Sequence, residues 1–168
     1  HEDREFALKE LNMSMGKAEW EMFQDIPVRE PGSTNLCKGL PLEVFPAFLE
    51  SQLARKYQTI SVYDTPARTF LLYAEDVPVG CIGIRTQIDE KWKLWSGNLY
   101  YTVRSAERGK GYGTKILALG LEECRRLGMT EVYVNASAGN TASARVIEKN
   151  GGVLFQEKDG SRYYRIKI

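Results

Sequence analysis

Residues 99–128 constrain this chain more than any other stretch, because they read as a strand, a glycine-rich turn and a helix in direct succession. Leu99–Val103 is aromatic and β-branched, as a strand should be. Gly109, Gly111 and Gly113 then alternate with Lys110 and Tyr112. From Thr114 the apolar residues Ile116, Leu117, Gly120, Leu121, Cys124 and Leu127 recur at three- and four-residue steps, and Gly128 closes the helix.

A helix leaves its first N–H groups without acceptors and carries partial positive charge at that end. Glycines remove the Cβ atoms that would keep an oxyanion off the backbone. Arg108 and Lys110 add full charges. The expected guest is a phosphate or pyrophosphate, although the same glycines also suit a simple tight turn. Two phosphate motifs are excluded by spacing. A P-loop requires Gly-Lys followed by Ser or Thr, whereas Gly113 is followed by Thr114-Lys115. The dinucleotide fingerprint requires G-x-G-x-x-G, whereas this loop is G-x-G-x-G.

The remaining sequence bounds the possibilities. Its 168 residues suit one domain, 1–168, and 43% hydrophobic with 27% charged residues is a globular composition. A net charge of +1 points to neither nucleic acid nor a membrane surface. No apolar run approaches the roughly 18 residues of a membrane span, and the opening residues carry no signal-type segment. Cys37, Cys81 and Cys124 are scattered and odd in number, which predicts free thiols in a reducing, cytoplasmic setting and no metal cluster. His1 is the sole histidine, so histidine-based catalysis or metal binding is not expected.

Along the chain, residues 5–11 suggest a first strand, and Ser14 is placed to cap a helix carrying Ala18, Trp20, Met22 and Phe23. Pro27, Pro31 and Gly32 mark loop. Pro41 opens a second amphipathic helix with Val44, Phe45, Phe48, Leu49, Leu53 and Tyr57 on its stripe. Residues 68–75 and 79–88 form an expected hairpin turning at Asp76-Val77-Pro78. Residues 89–97 read as a polar loop whose Trp92 and Trp95 are core or pocket wall. Residues 131–135 are a strand, expected to lie parallel to Leu99–Val103 through a β-α-β connection. Asn140 or Thr141 caps a short helix ended by Gly151-Gly152, and Asp159-Gly160 turns a final hairpin.

Two motifs now combine. Arg108-Gly109-Lys110-Gly111-Tyr112-Gly113 resembles the R/Q-x-x-G-x-G/A acyl-CoA motif of the GNAT superfamily of N-acyltransferases. Asn140-x-x-Ser143 with Val146-Ile147-Glu148-Lys149 and Gly151-Gly152 resembles the superfamily's second motif, N-x-x-[SA]-x-x-x-Y-E-K-x-G-F. The chain is similar to a bacterial-type branch. The resemblance implies an α/β fold with a mixed, mostly antiparallel sheet of about seven strands, a parallel pair at the coenzyme strand, and about four flanking helices.

It also implies acetyl-CoA as cosubstrate, without a metal, and transfer to a primary amine of a small molecule or peptide by direct attack in a ternary complex. A non-catalytic acyl-CoA sensor is the alternative. Nucleic acid and membrane are not implied as partners, and a homodimer is admitted. Coenzyme contacts are implied for Tyr101, Thr102 and Val103, for Arg108, Gly109, Lys110, Gly111, Tyr112, Gly113 and Thr114, and for Asn135, Asn140 and Ser143. The strand edge near Tyr101 and Val103 would bind pantetheine and polarise the thioester. The superfamily's usual thiolate-protonating tyrosine is replaced here by Ile147. Ser143, Tyr133 and Tyr112 are the donors the sequence offers, and Asp89, Glu90 and Glu107 the bases. Of these, Ser143, Tyr133 and Glu90 are taken as the catalytic candidates.

Overall fold

The computed structural model describes residues 5–30, 33–57 and 65–168. In chain order the elements are β1 (Phe6–Glu10), α1 (Lys17–Gln24), β2 (Arg29–Glu30), β3 (Ser33–Thr34), α2 (Phe45–Ala54), β4 (Arg68–Ala74), β5 (Val77–Ile84), α3 (Glu90–Lys93), β6 (Leu99–Val103), α4 (Tyr112–Arg126), β7 (Glu131–Ser137), α5 (Thr141–Lys149), β8 (Val153–Lys158) and β9 (Ser161–Lys167). Strands β1, β4, β5 and β6 form one antiparallel sheet in the order β1-β4-β5-β6. A second antiparallel sheet has the order β7-β9-β8, and β2 pairs with β3.

The first sheet is covered on both faces, and the two-residue period of β4 shows it. Phe70, Leu72 and Ala74 enter one apolar cluster with α4 and α5, while Leu71 and Tyr73 enter another with α1 and α2. Each fully buried Leu or Ile, such as Leu49, Leu71, Ile82 and Ile116, contributes about 1.5–3 kcal/mol. The β7 sheet buries mainly one face, with Tyr163 alone of β9 buried on the other. Val132, Val134 and Ala136 are buried, whereas the edge strand β8 leaves Val153, Leu154 and Phe155 exposed.

Several local expectations are corrected. Ser14 does not cap α1. Its hydroxyl bonds the Asn12 side chain, and α1 begins at Gly16, whose N–H is taken by Glu19 Oε1 at 2.8 Å. Tyr57 lies beyond the end of α2 and is 86% exposed, so the apolar stripe stops earlier than the spacing suggests. The β4–β5 turn is made by Glu75 and Asp76 at positive φ, and Pro78 falls inside β5 beside a register shift at Leu72/Tyr73. Asp89 accepts from the Trp92 N–H, which turns part of the expected loop into α3. Helix α4 opens at Tyr112, two residues earlier than expected.

The parallel pair is the instructive difference. β6 and β7 run side by side without a shared ladder among the described residues, and belong to different sheets. They meet at Asn98, whose N–H donates to the Tyr133 C=O at 2.7 Å, and diverge from there.

Candidate active site

The divergence leaves β6 with one free edge. The Arg85 N–H donates to the Asn98 C=O at 2.7 Å, and the Arg104 N–H donates to the Val79 C=O at 2.9 Å. Main-chain groups alternate along a strand, so the even-numbered residues of β6 face β5. Leu99, Tyr101 and Val103 therefore turn their N–H and C=O groups outward, into the gap before β7. Side chains alternate too. Leu99, Tyr101 and Val103 pack with α4 and α5, and Tyr100 and Thr102 lie on the opposite face.

The free edge runs into the glycine loop. Gly109 and Gly111 have φ values of +81° and +83°, a left-handed backbone that favours glycine, and no atom lies within 4 Å of where either Cβ would be. Gly111 is the N-cap of α4, so the Gly113 and Thr114 amides of its first turn have no acceptor within the helix. The two cations expected there are engaged. Arg108 folds back along β6, its Nε donating to the Val103 C=O at 2.8 Å and its Nη2 to Glu30 Oε2 at 2.9 Å. Lys110 pairs with Glu107 at 2.6 Å.

Asp25, at the end of α1, holds the entrance of the loop. Its Oδ2 accepts from Arg104 Nε at 3.1 Å and from the Ala106 N–H at 3.0 Å, and its C=O accepts from the Ser105 N–H at 2.8 Å. Burial pushes the Asp25 carboxyl up, but the Ala106 amide and the Arg104 guanidinium outweigh it and leave its pKa below the ordinary carboxylate value.

Helix α5 flanks the gap. Asn140 is its N-cap, with Oδ1 accepting from the Ser143 N–H at 3.0 Å. The Ser143 hydroxyl lies 3.3 Å from the Tyr101 hydroxyl, which brings β6 and α5 together across the sheet. Burial pushes the Tyr101 phenol up, against a smaller lowering by Ser143, so it stays protonated at neutral pH. Ile147 is fully buried, and Gly152 packs directly against it.

The three catalytic candidates are divided between the two faces. Ser143 stands with Tyr101 on the α5 side. Tyr133 projects from the other face of β7, its hydroxyl 3.2 Å from Glu131 Oε1 and its ring 4.7 Å beneath Lys93 Nζ. Glu90 pairs with that lysine at 2.8 Å and is 89% exposed. On the same side Asn135 donates to the Trp95 C=O at 2.6 Å, and Trp92 packs on Trp95 with centroids 4.7 Å apart. Sequence reasoning missed Glu30. Its Oε1 accepts from the Thr102 hydroxyl, on the face opposite Tyr101. Nothing in the sequence signals a contact that spans 72 residues. A separate cavity of about 780 Å³ lies beyond the closed end of β6, lined in part by Arg68, Thr86, Lys93, Asn98, Met129 and Tyr133.

Among the described residues, no group of three or more His, Cys, Asp or Glu side chains could hold a metal ion, and no helix is long and apolar enough to cross a membrane.

Solved structures with the same architecture include the ribosomal L7/L12 alpha-N-protein acetyltransferase RimL in complex with coenzyme A, at a TM-score of 0.68 and 15% identity over 97% of this chain and 94% of that one. The spermidine N-acetyltransferase of Vibrio cholerae matches at a TM-score of 0.62 and 15% identity, covering 96% of this chain and 93% of that one. The protein yncA of Salmonella typhimurium, solved with its cofactor acetyl-CoA, matches at 0.61 and 15% over 96% and 93%. At such identities the likeness establishes the fold. No curated protein sequence matches the chain. Residues 42–153, two thirds of the chain, match the model for the acetyltransferase (GNAT) domain, and the protein belongs to that family.

Proposed function

We propose that this protein transfers an acetyl group from acetyl-CoA to a primary amine of a small molecule or peptide by direct attack in a ternary complex. The observation that carries this reading is the outward main-chain edge of β6, followed directly by the glycine loop, with the Val103 C=O alone taken by the Arg108 side chain. The edge offers strand-like hydrogen bonds to the pantetheine amides, and the loop offers amides to the pyrophosphate. Coenzyme A-bound RimL and acetyl-CoA-bound yncA, which share the fold, support the choice of ligand.

In this reading the Val103 N–H faces the thioester oxygen and stabilises its negative charge as the amine nitrogen bonds to the carbonyl carbon. As the carbon–sulfur bond breaks, the electron pair leaves with sulfur. The neutral Tyr101 phenol, with Ser143 at 3.3 Å, supplies the proton. The amine's proton passes to a carboxylate on the opposite face, and Glu30 beside Thr102 is better enclosed for this than the exposed Glu90. Tyr133 and Asn135 line the acceptor side. Arg108 and Lys110 act as supports of the loop rather than as free phosphate ligands.

One observation favours a binding-only sensor. Ile147 stands where the family has its tyrosine, and it is buried. The Tyr101–Ser143 pair offers a different donor, which favours the transferase. The test is free-thiol release from acetyl-CoA against a panel of amines, polyamines and peptides with free N-termini. Acceptor-dependent release is expected with at least one class. Tight acetyl-CoA binding with no release by any amine would establish the sensor instead.

A further inference from the structure

We infer that Asn98 is a positioning residue that sets the opening between β6 and β7, and hence the geometry of the coenzyme gap; this rests on the reading given under Proposed function. Asn98 is a buried polar residue, 4% exposed, and its side chain works as a substitute peptide group. Its Oδ1 accepts from the Tyr133 N–H at 2.8 Å, and its Nδ2 donates to the Arg85 C=O at 2.8 Å. Its own N–H donates to the Tyr133 C=O, and its C=O accepts from the Arg85 N–H, each at 2.7 Å. One residue thus occupies both main-chain groups of Tyr133 and both of Arg85.

The consequence is geometric. A regular parallel ladder would pass each rung to the next residue pair and keep the strands about 4.8 Å apart. Here the Asn98 side chain replaces its main-chain N–H on the Arg85 C=O, which lets that N–H turn to Tyr133, while the Asn98 C=O stays with Arg85 and cannot take the Asn135 N–H that a second rung would need, and no successor forms among the described residues. Gly97 makes the approach possible. Its φ is +67°, and a Cβ there would collide with the Tyr133 carbonyl. The Arg85 guanidinium reinforces the corner, donating to the Gly97 C=O at 3.2 Å while lying 5.0 Å from the Trp92 ring centroid and 4.9 Å from that of Tyr100.

The experiment compares wild type, Asn98→Ala, Asn98→Asp and a core control, Ile166→Val, by acetyl-CoA titration calorimetry, melting temperature and amide exchange. Asp is nearly isosteric. It keeps an acceptor for the Tyr133 N–H but puts an oxygen against the Arg85 carbonyl, and on acidification its O–H can donate there. Asn98→Ala should lose exchange protection at the Tyr133 amide with no coenzyme present, and should bind acetyl-CoA at least tenfold more weakly. Ile166→Val should lose melting temperature and keep its affinity. Asn98→Asp should bind weakly at neutral pH and recover towards the wild-type value as the pH is lowered. Unchanged protection at Tyr133 in Asn98→Ala, or affinity within twofold of wild type in both variants, overturns the inference. Wild type failing to bind acetyl-CoA overturns the functional reading as well, and is recognisable because the Tyr133 exchange result does not depend on coenzyme.

Discussion

The two ends of β6 are held by opposite means. The closed end, at Asn98, is buried, and its main-chain and side-chain amides interlock through neutral bonds of 2.7–2.8 Å. The open end, from Arg104 to Gly113, is held by ion pairs at or near the surface: Arg104–Asp25, Arg108–Glu30 and Lys110–Glu107. Buried neutral bonds keep their geometry across salt and pH. Partly exposed ion pairs contribute about 0–1 kcal/mol each and weaken as salt rises. The same strand is therefore fixed where it must define a width and adjustable where it must admit an anion.

The largest effect is expected at the loop. Gly111→Asp should weaken acetyl-CoA binding more than a hundredfold, about 2.7 kcal/mol. Gly111→Asn brings the same left-handed strain without the charge and should weaken it far less. Space for either Cβ is open, so both variants should fold. Equal affinities for the two in calorimetry would remove the anion from the open end.

Ile147, on α5, is fully buried. Ile147→Tyr should cost about 1–3 kcal/mol of stability through overpacking against Gly152. It should not raise kcat more than about tenfold, since a coenzyme A thiol is already a fair leaving group. Denaturant melts and steady-state rates test both halves of this prediction.

A smaller effect separates donors from scaffold. Tyr101→Phe should lower kcat about tenfold, roughly 1.4 kcal/mol, with acetyl-CoA affinity retained. Ser143→Ala should act in the same direction and less. Loss of affinity rather than rate would make the pair a packing contact. Asn140→Asp keeps the cap to Ser143, so the melting temperature should hold, and a fall in activity would show that the side-chain amide N–H₂ is used.

The smallest effect is the acid response. Asp25 has its carboxyl pKa lowered in the folded protein, so its contribution is present above the unfolded value of about 3.9 and is lost as pH falls through the folded value. Below about pH 4 coenzyme affinity should therefore fall while the Tyr133 amide keeps its protection. Asp25→Asn should show the same weakening at neutral pH.

What could be read from the sequence was local. The loop glycines and the Asn140 cap act within a few residues of their partners, and spacing alone exposes them. The strand assignment of Leu99–Val103 also contained the Tyr101 orientation, by simple alternation. Asn98, Glu30 and Asp25 were not legible, because their partners lie 35, 78 and 79 residues away and a single polar residue at the end of a short element has no periodic signature. The parallel pairing of β6 with β7 was expected from the connection between them. It stops at its first contact because Asn98 uses up the groups that a second rung would need.

The most direct test of the account is amide hydrogen exchange of the wild-type protein with and without coenzyme A. Binding should protect the Tyr101 and Val103 amides on the free edge and those of Gly113 and Thr114 in the first turn of α4, and leave Tyr133 unchanged at the closed end. Protection confined to residues around the cavity beyond the closed end, such as Thr86, Met129 and Tyr133, with Val103 and Gly113 unaffected, would contradict it.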